Sequence, residues 1–171
     1  ADPRLASGAR SRPRALSVLA TSFPPPLLVA GQAAAAPYYV RPAGSDRAAG
    51  TSAAAAWQSI SKVNATVLAP GDSVLFAGGA TFAGLLQPVG SGALGQPIRF
   101  GTYGSGRANL AGGIQVASQS WLVLDGLRVD TGAWQTAGTT RGIRTSDAGT
   151  GVPNVGVRDC EFANVPVGLL F

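Results

Sequence analysis

Short runs of alternating apolar and polar positions recur along the chain: Val74-Leu75-Phe76, Ile98-Arg99-Phe100, Leu122-Val123-Leu124 and Val155-Gly156-Val157. The first three begin 24 residues apart and the fourth follows after 33. Read as columns, Val74, Ile98, Leu122, Val155 and Phe76, Phe100, Leu124, Val157 are wholly apolar, while the column between them, Leu75, Arg99, Val123, Gly156, is mixed. A period of 2 marks a strand with one buried face. A slip of one residue would bring Arg99 inside and turn Phe100 out, so the parity is strongly specified. A second strand follows each late run, with Leu127 and Val129 falling over Cys160 and Phe162, and with Gly126 and Asp159 at the bend.

Equal steps of this size predict stacked units. One unit is too short to cover its own apolar side, so stability has to come from neighbours about 4.8 Å away. The hairpins of a two-layer sandwich, the structural rival, do not preserve matching columns at a constant step. The longer last step is assigned to a polar loop around residues 145–152. Ahead of the first run, Trp57, Ile60, Val63 and Val67 recur at near-helical spacing after Thr51 or Ser52 as N-cap. This predicts an amphipathic helix over about 52–67 that caps the solenoid, stopped by Pro70-Gly71-Asp72, with coils from about residue 73.

Composition agrees with a turn-rich β architecture: 24 glycines and 12% charged residues suit turns better than helices. The absence of His excludes imidazole acid–base chemistry and His metal sites within these residues. The single Cys160 has no internal disulfide partner and reads as a small apolar filler. A net charge of +5 suggests an anionic partner, but Arg4, Arg10, Arg12 and Arg14 lie ahead of an apolar run. With these four set aside, nine basic residues remain against seven acidic ones from Ala36 onward, without a basic stripe, which argues against nucleic-acid binding. Residues 1–35 read as a leader and secretory signal: Arg10, Arg12 and Arg14 form the charged region, Ala15 to Ala30 the apolar region, and Ala33-Ala34-Ala35 an A-x-A site. Cleavage there leaves Ala36 as the mature start, with no membrane span after it. Pro24-Pro25-Pro26 interrupts the apolar region, and a disordered Ala/Pro/Arg-rich leader is the alternative.

Several segments carry a family resemblance. They run from Tyr38-Tyr39-Val40 through Gly44-Ser45-Asp46 and Gly50-Thr51 to Trp57. Pro70-Gly71-Asp72-Ser73-Val74-Leu75-Phe76 and Pro97-Ile98-Arg99-Phe100-Gly101-Thr102-Tyr103-Gly104 continue the pattern. In these the chain resembles the N-terminal region of right-handed parallel β-helix proteins of the pectate-lyase-like superfamily, in its bacterial secreted group. Ala56 stands where such proteins commonly place Pro before the Trp. The column count gives about four coils, and the resemblance implies an all-β right-handed parallel β-helix and an exported protein acting on polysaccharide as a lyase or hydrolase. It also implies an Arg or Lys base, with Ca²⁺ held by carboxylates in middle coils of the full-length parent. No cofactor is assignable to this chain itself. The apolar pattern continues through Val167-Gly168-Leu169-Leu170 to Phe171, so a C-terminally truncated, inactive fragment is expected, with catalytic residues beyond Phe171 and self-association through an uncapped end. The other reading is a non-catalytic extracellular or cell-surface solenoid that binds glycan or protein.

The outward positions of the late coils are the most polar. The step of 33 sets Asp125 beside Arg158 and Arg128 beside Glu161, with Asp130 and Asp159 nearby. Such a group offers Arg forks to a uronate and carboxylates to a hard cation such as Ca²⁺, or else consists of cross-strand ion pairs. The glycines at Gly78-Gly79 and Gly101 to Gly106 lack the Lys-Ser/Thr ending of a phosphate loop and read as turns. Trp134 is a candidate sugar-stacking ring or local packing, and Asn64-Ala65-Thr66 matches a glycosylation sequon only by pattern. The parity assignment has a direct test by chemical denaturation. Phe100→Asp buries an unpaired charge and should unfold the chain, whereas Arg99→Asp should change stability by less than about 1 kcal/mol. Equal damage would overturn the column assignment.

Overall fold

The computed structural model describes residues 34–132, 141–145, 154–165 and 167–170, all within the unit Ala33–Phe171. Trp134 and all of the leader except Ala34 and Ala35 lie outside these residues, as does most of the polar loop. An edge strand β1 (Pro37–Val40) and a short helix α1 (Ile60–Asn64) precede β2 (Ser73–Ala77) and β3 (Thr81–Phe82). The chain then makes three successive circuits: β4 (Ile98–Tyr103), β5 (Ala108–Leu110) and β6 (Ile114–Val116), next β7 (Leu122–Asp125), β8 (Leu127–Asp130) and β9 (Arg141–Thr145), and last β10 (Val155–Arg158), β11 (Glu161–Ala163) and β12 (Val167–Leu170). All strand pairs are parallel, in sheets ordered β1-β2-β4-β7-β10, β11-β8-β5-β3 and β12-β9-β6. This is an all-β parallel solenoid. No helix among the described residues is long and apolar enough to cross a membrane.

The alternating columns form the interior. Val74, Phe76, Ile98, Phe100, Leu122 and Leu124 are fully buried, joined by Leu110, Leu127 and Val129 from the second sheet and by Ile114 and Ile143 from the third. Phe76 and Phe82 meet edge to face with centroids 5.1 Å apart. Burying each side chain of this size contributes about 1.5–3 kcal/mol.

Three expectations are corrected. The first step is 26 residues, not 24, because Val74 pairs with Phe100 and Ser73 with Arg99. The later steps of 24 and 33 hold, since Ile98 pairs with Leu122 and Leu122 with Val155. A two-residue shift keeps the same side chains inside, so the apolar pattern does not distinguish it. Each circuit also has a third strand, which the column reading lacked. The helix, finally, covers only Ile60–Asn64 within the expected 52–67.

The helix is short because the backbone on either side is bonded elsewhere. Trp57 N–H donates to Tyr39 O (2.8 Å) and Arg41 N–H to Trp57 O (2.9 Å), so residue 57 lies along the free edge of β1. The Asp46 carboxylate accepts from the N–H groups of Gln58 (2.8 Å) and Ser59 (3.0 Å), and Ser59 becomes the N-cap, accepting from Lys62 N–H at 3.2 Å. Burial works against the Asp46 anion, but these donors, the Ser59 hydroxyl and Lys62 outweigh it and hold its pKa below the ordinary value. At the other end Leu68 N–H donates to Val89 O (2.9 Å), leaving Val67 75% exposed where the helical spacing put it in the core. The amide of Asn64 is engaged at both ends, donating to Leu85 O (2.9 Å) and accepting from Gln87 N–H (2.8 Å).

Trp57 is 3% exposed, stacks on Tyr38 at 4.7 Å and donates from its indole to Ala48 O (3.1 Å). Gly50 lies against this indole with φ +78, and a Cβ there would come within 2.4 Å of the ring. Gly104 has the same φ of +78 but nothing within 4 Å. Gly104→Ala is therefore expected to cost about 1 kcal/mol of backbone strain, and Gly50→Ala that plus a further 1–3 kcal/mol or so of overpacking in urea unfolding. Equal losses would remove the Trp57 contact from the account.

Candidate functional site

The outward face of the five-stranded sheet carries the residues left over by the buried columns. One row across the strands reads Pro37, Ser73, Arg99, Val123, Gly156. The next brings together Tyr39, Leu75 and Gly101, then Asp125 paired with Arg158. Two clefts open on this face. The first, 340 Å³, is lined by Ser73, Leu75, Arg99, Gly101, Thr102 and Asp125 among others. The second, 440 Å³, is lined by Pro97, Arg99, Trp121, Val123, Asn154, Gly156 and Arg158 among others. Arg99 belongs to both.

The glycines keep the clefts open. A Cβ at Gly156 would sit 3.7 Å from Val123 Cγ2, and one at Gly101 3.5 Å from Asp125 O, both ordinary contacts. Neither has the positive φ that would demand glycine. Trp121 does have a positive φ, 57°, as does Asn154 (66°), which stands at the same corner one circuit later. Both carbonyls reach back to the preceding circuit, Trp121 O accepting from Ile98 N–H (2.9 Å) and Asn154 O from Leu122 N–H (3.2 Å). Asn tolerates this left-handed conformation, whereas a bulky residue there is strained.

The six sequence-derived candidates divide between two faces. Asp125 and Arg158 are register partners on the cleft face, but the expected ion pair between them does not form. Arg128, Asp130 and Glu161 lie together on the second sheet, where Arg128 binds Asp130 at 2.9 Å and Glu161 at 3.1 Å. Asp159 occupies the bend with φ 45 and pairs with Arg107 at 2.7 Å, a partner 52 residues away that the column reading did not reach. The hydrogen bond from Arg128, with those from Asn164 and the Gly132 N–H, holds the Asp130 pKa low, and Arg107 does the same for Asp159. Four of the six candidates are thus wholly or partly satisfied by protein partners. Among the described residues no three His, Cys, Asp or Glu side chains converge as a metal cluster.

Neither a family model nor a curated protein matches the chain. Solved structures do. The GH136 lacto-N-biosidase of Eubacterium ramulus aligns at 20% identity over 76% of this chain and 27% of its own, with TM-score 0.66 for the selenomethionine derivative, and at 19% identity with TM-score 0.62 for the native protein. A rhamnogalacturonan lyase aligns at 21% identity over 66% of this chain and 34% of its own, with TM-score 0.51. The likeness is one of fold. This chain spans about a quarter of the biosidase's length.

Two cleft residues, Arg99 and Trp121, were missed as site candidates by sequence reasoning. Arg99 had a signal, since it interrupts an otherwise apolar run at an outward position. Trp121 had none, because a large aromatic beside a buried run reads as core.

The pairing of Asp130 fixes a pH response. A carboxylate whose folded pKa is depressed stabilises the fold above its unfolded value of about 3.9, and the contribution fades as pH falls through the lower folded value. Carboxyl ¹³C titration should place the Asp130 midpoint below about 3.9 and move it up towards that value in Arg128→Gln. An unmoved midpoint would exclude Arg128 as the cause.

Proposed function

We propose that the outward face of the five-stranded sheet binds an acidic polysaccharide, and that the chain is part of an exported polysaccharide-acting lyase or hydrolase. The observation that carries this reading is the 440 Å³ cleft holding two arginines, Arg99 and Arg158, neither in an ion pair among the described residues, with a strained tryptophan at its edge. Arginine meets a carboxylate with a planar two-pronged donor. The indole supplies an apolar, electron-rich face for the C–H groups of a pyranose ring. The strain at Trp121 supports the same reading, since the fold at that corner requires only the carbonyl and Asn serves in the next circuit. The fold neighbours are a glycoside hydrolase and a polysaccharide lyase by name, and the leader pattern of residues 10–35 accounts for export. Asp125 is the carboxylate lining the smaller cleft, so the function assigned to these residues is binding and orientation of the glycan.

Binding of an oligogalacturonate and of a neutral oligosaccharide of equal length, followed by calorimetry, tests the reading. The acidic ligand should bind more tightly, and Arg99→Gln with Arg158→Gln should weaken it about tenfold or more while leaving the melting temperature unchanged. Gly156→Leu, which fills the cleft without a steric clash at Cβ, should abolish binding by the folded protein. Equal affinity for both ligands, or full binding by the Gly156 variant, would overturn the assignment.

A further inference from the structure

Asp72 is the one charged residue buried among the described residues, at 3% exposure, and no cationic side chain pairs with it. Its carboxylate accepts two backbone N–H groups, Ala69 on Oδ2 and Ala36 on Oδ1, each at 2.8 Å. A buried carboxylate held only by neutral donors is costly, and the remedy is a cation within hydrogen-bond reach. Ala36 is also the first residue after the Ala33-Ala34-Ala35 motif. Hydrolysis of the Ala35–Ala36 peptide bond by a leader peptidase adds one water, leaving a carboxylate on Ala35 and an ammonium on Ala36. That ammonium nitrogen is the atom already 2.8 Å from Asp72 Oδ1.

We propose that export processing of this chain creates its own buried ion pair, in which the new α-ammonium of Ala36 neutralises Asp72 and locks the entry of β1 onto β2. The surrounding structure is arranged for this. Ala36 O accepts from Ser73 N–H (3.0 Å), so residue 36 is gripped on both sides by the segment that carries Asp72. Ala34 and Ala35 are exposed, and their removal takes nothing from the core. The Asp72 carbonyl accepts from Arg99 N–H (2.9 Å), tying the pair to the next strand of the sheet as well. Before cleavage the same carboxylate faces a neutral amide, so the uncleaved chain folds without its strongest N-terminal anchor. The bond from the Ala36 amide is already assisted by the carboxylate's charge, and the ammonium adds a full positive charge on the donor side, turning it into a buried ion pair. The inference is independent of what the clefts bind.

Expression of the full chain with its leader in an exporting bacterium, followed by intact mass and N-terminal sequencing, is expected to give a mature protein beginning at Ala36. A second version carries one Gly inserted between Ala35 and Ala36, which keeps the cleavage motif but moves the ammonium one residue away from Asp72. Its melting temperature should be lower by about 4 °C or more at neutral pH. In an Asp72→Asn background the insertion should make no difference, a comparison that separates loss of the pair from any general disturbance of β1. Retention of the leader, a mature start at any other residue, equal melting of the two versions, or an insertion penalty that persists in Asp72→Asn would each overturn the proposal.

Discussion

The backbone ladder between stacked circuits is the interaction on which everything else in this molecule rests. No single circuit encloses its own apolar residues; Val74, Phe100 and Leu124 are buried because parallel pairing stacks strand on strand and holds their side chains in one interior column. The ladder also explains the treatment of the first edge. The segment from Gly44 to Trp57 returns to bond the open side of β1, with Trp57 stacked on Tyr38 and Lys62 lying 5.5 Å over the indole, so that backbone otherwise exposed on an edge strand is paired. A long helix would have covered the same apolar end but left those donors and acceptors without partners.

Because the ladder fixes alternate side chains inside, it delivers the others outward in rows, and the two described outward faces use them differently. On the second sheet Arg128 is shared between Asp130 and Glu161, and at the neighbouring bend Arg107 takes Asp159, so charge is largely neutralised within the protein. On the five-stranded sheet Arg99, Asp125 and Arg158 surround clefts floored by Gly101 and Gly156 and make no ion pair among the described residues. Exposed pairs of the first kind add little to stability. Unpaired arginines over a concave floor are available to a ligand, which is why the proposed function is placed on that face.

The corners of the circuits add a second constraint. Gly126 and Asp159 turn the chain at one corner in the left-handed conformation, and Trp121 and Asn154 do so at another. Glycine, Asp and Asn are the residues that tolerate it, and their recurrence at equivalent corners is what a stacked fold requires. Trp121 breaks that rule at the edge of the larger cleft, where local conformation and the proposed ligand surface compete for one residue.

Alternation and spacing were sufficient to determine the parallel solenoid, the inward side of β2, β4, β7, β8, β10 and β11, the bend at Gly126 and Asp159, and the outward placement of Asp125, Arg128, Arg158 and Glu161. These depend on period 2 and on stacking, both written into local sequence. The first step of 26, the third sheet, the shortness of α1 and the pairing of Arg107 with Asp159 were decided only in three dimensions. A two-residue shift keeps the same side chains of each strand facing inward, so the alternation does not register it. The helix was limited by hydrogen bonds from β1, Asp46 and Val89, which lie 12 to 21 residues away from the residues they capture and which outweigh the local spacing of Trp57, Ile60, Val63 and Val67. The clefts, likewise, exist only where separate circuits set Arg99, Trp121 and Arg158 around Gly156, an arrangement that no single segment contains.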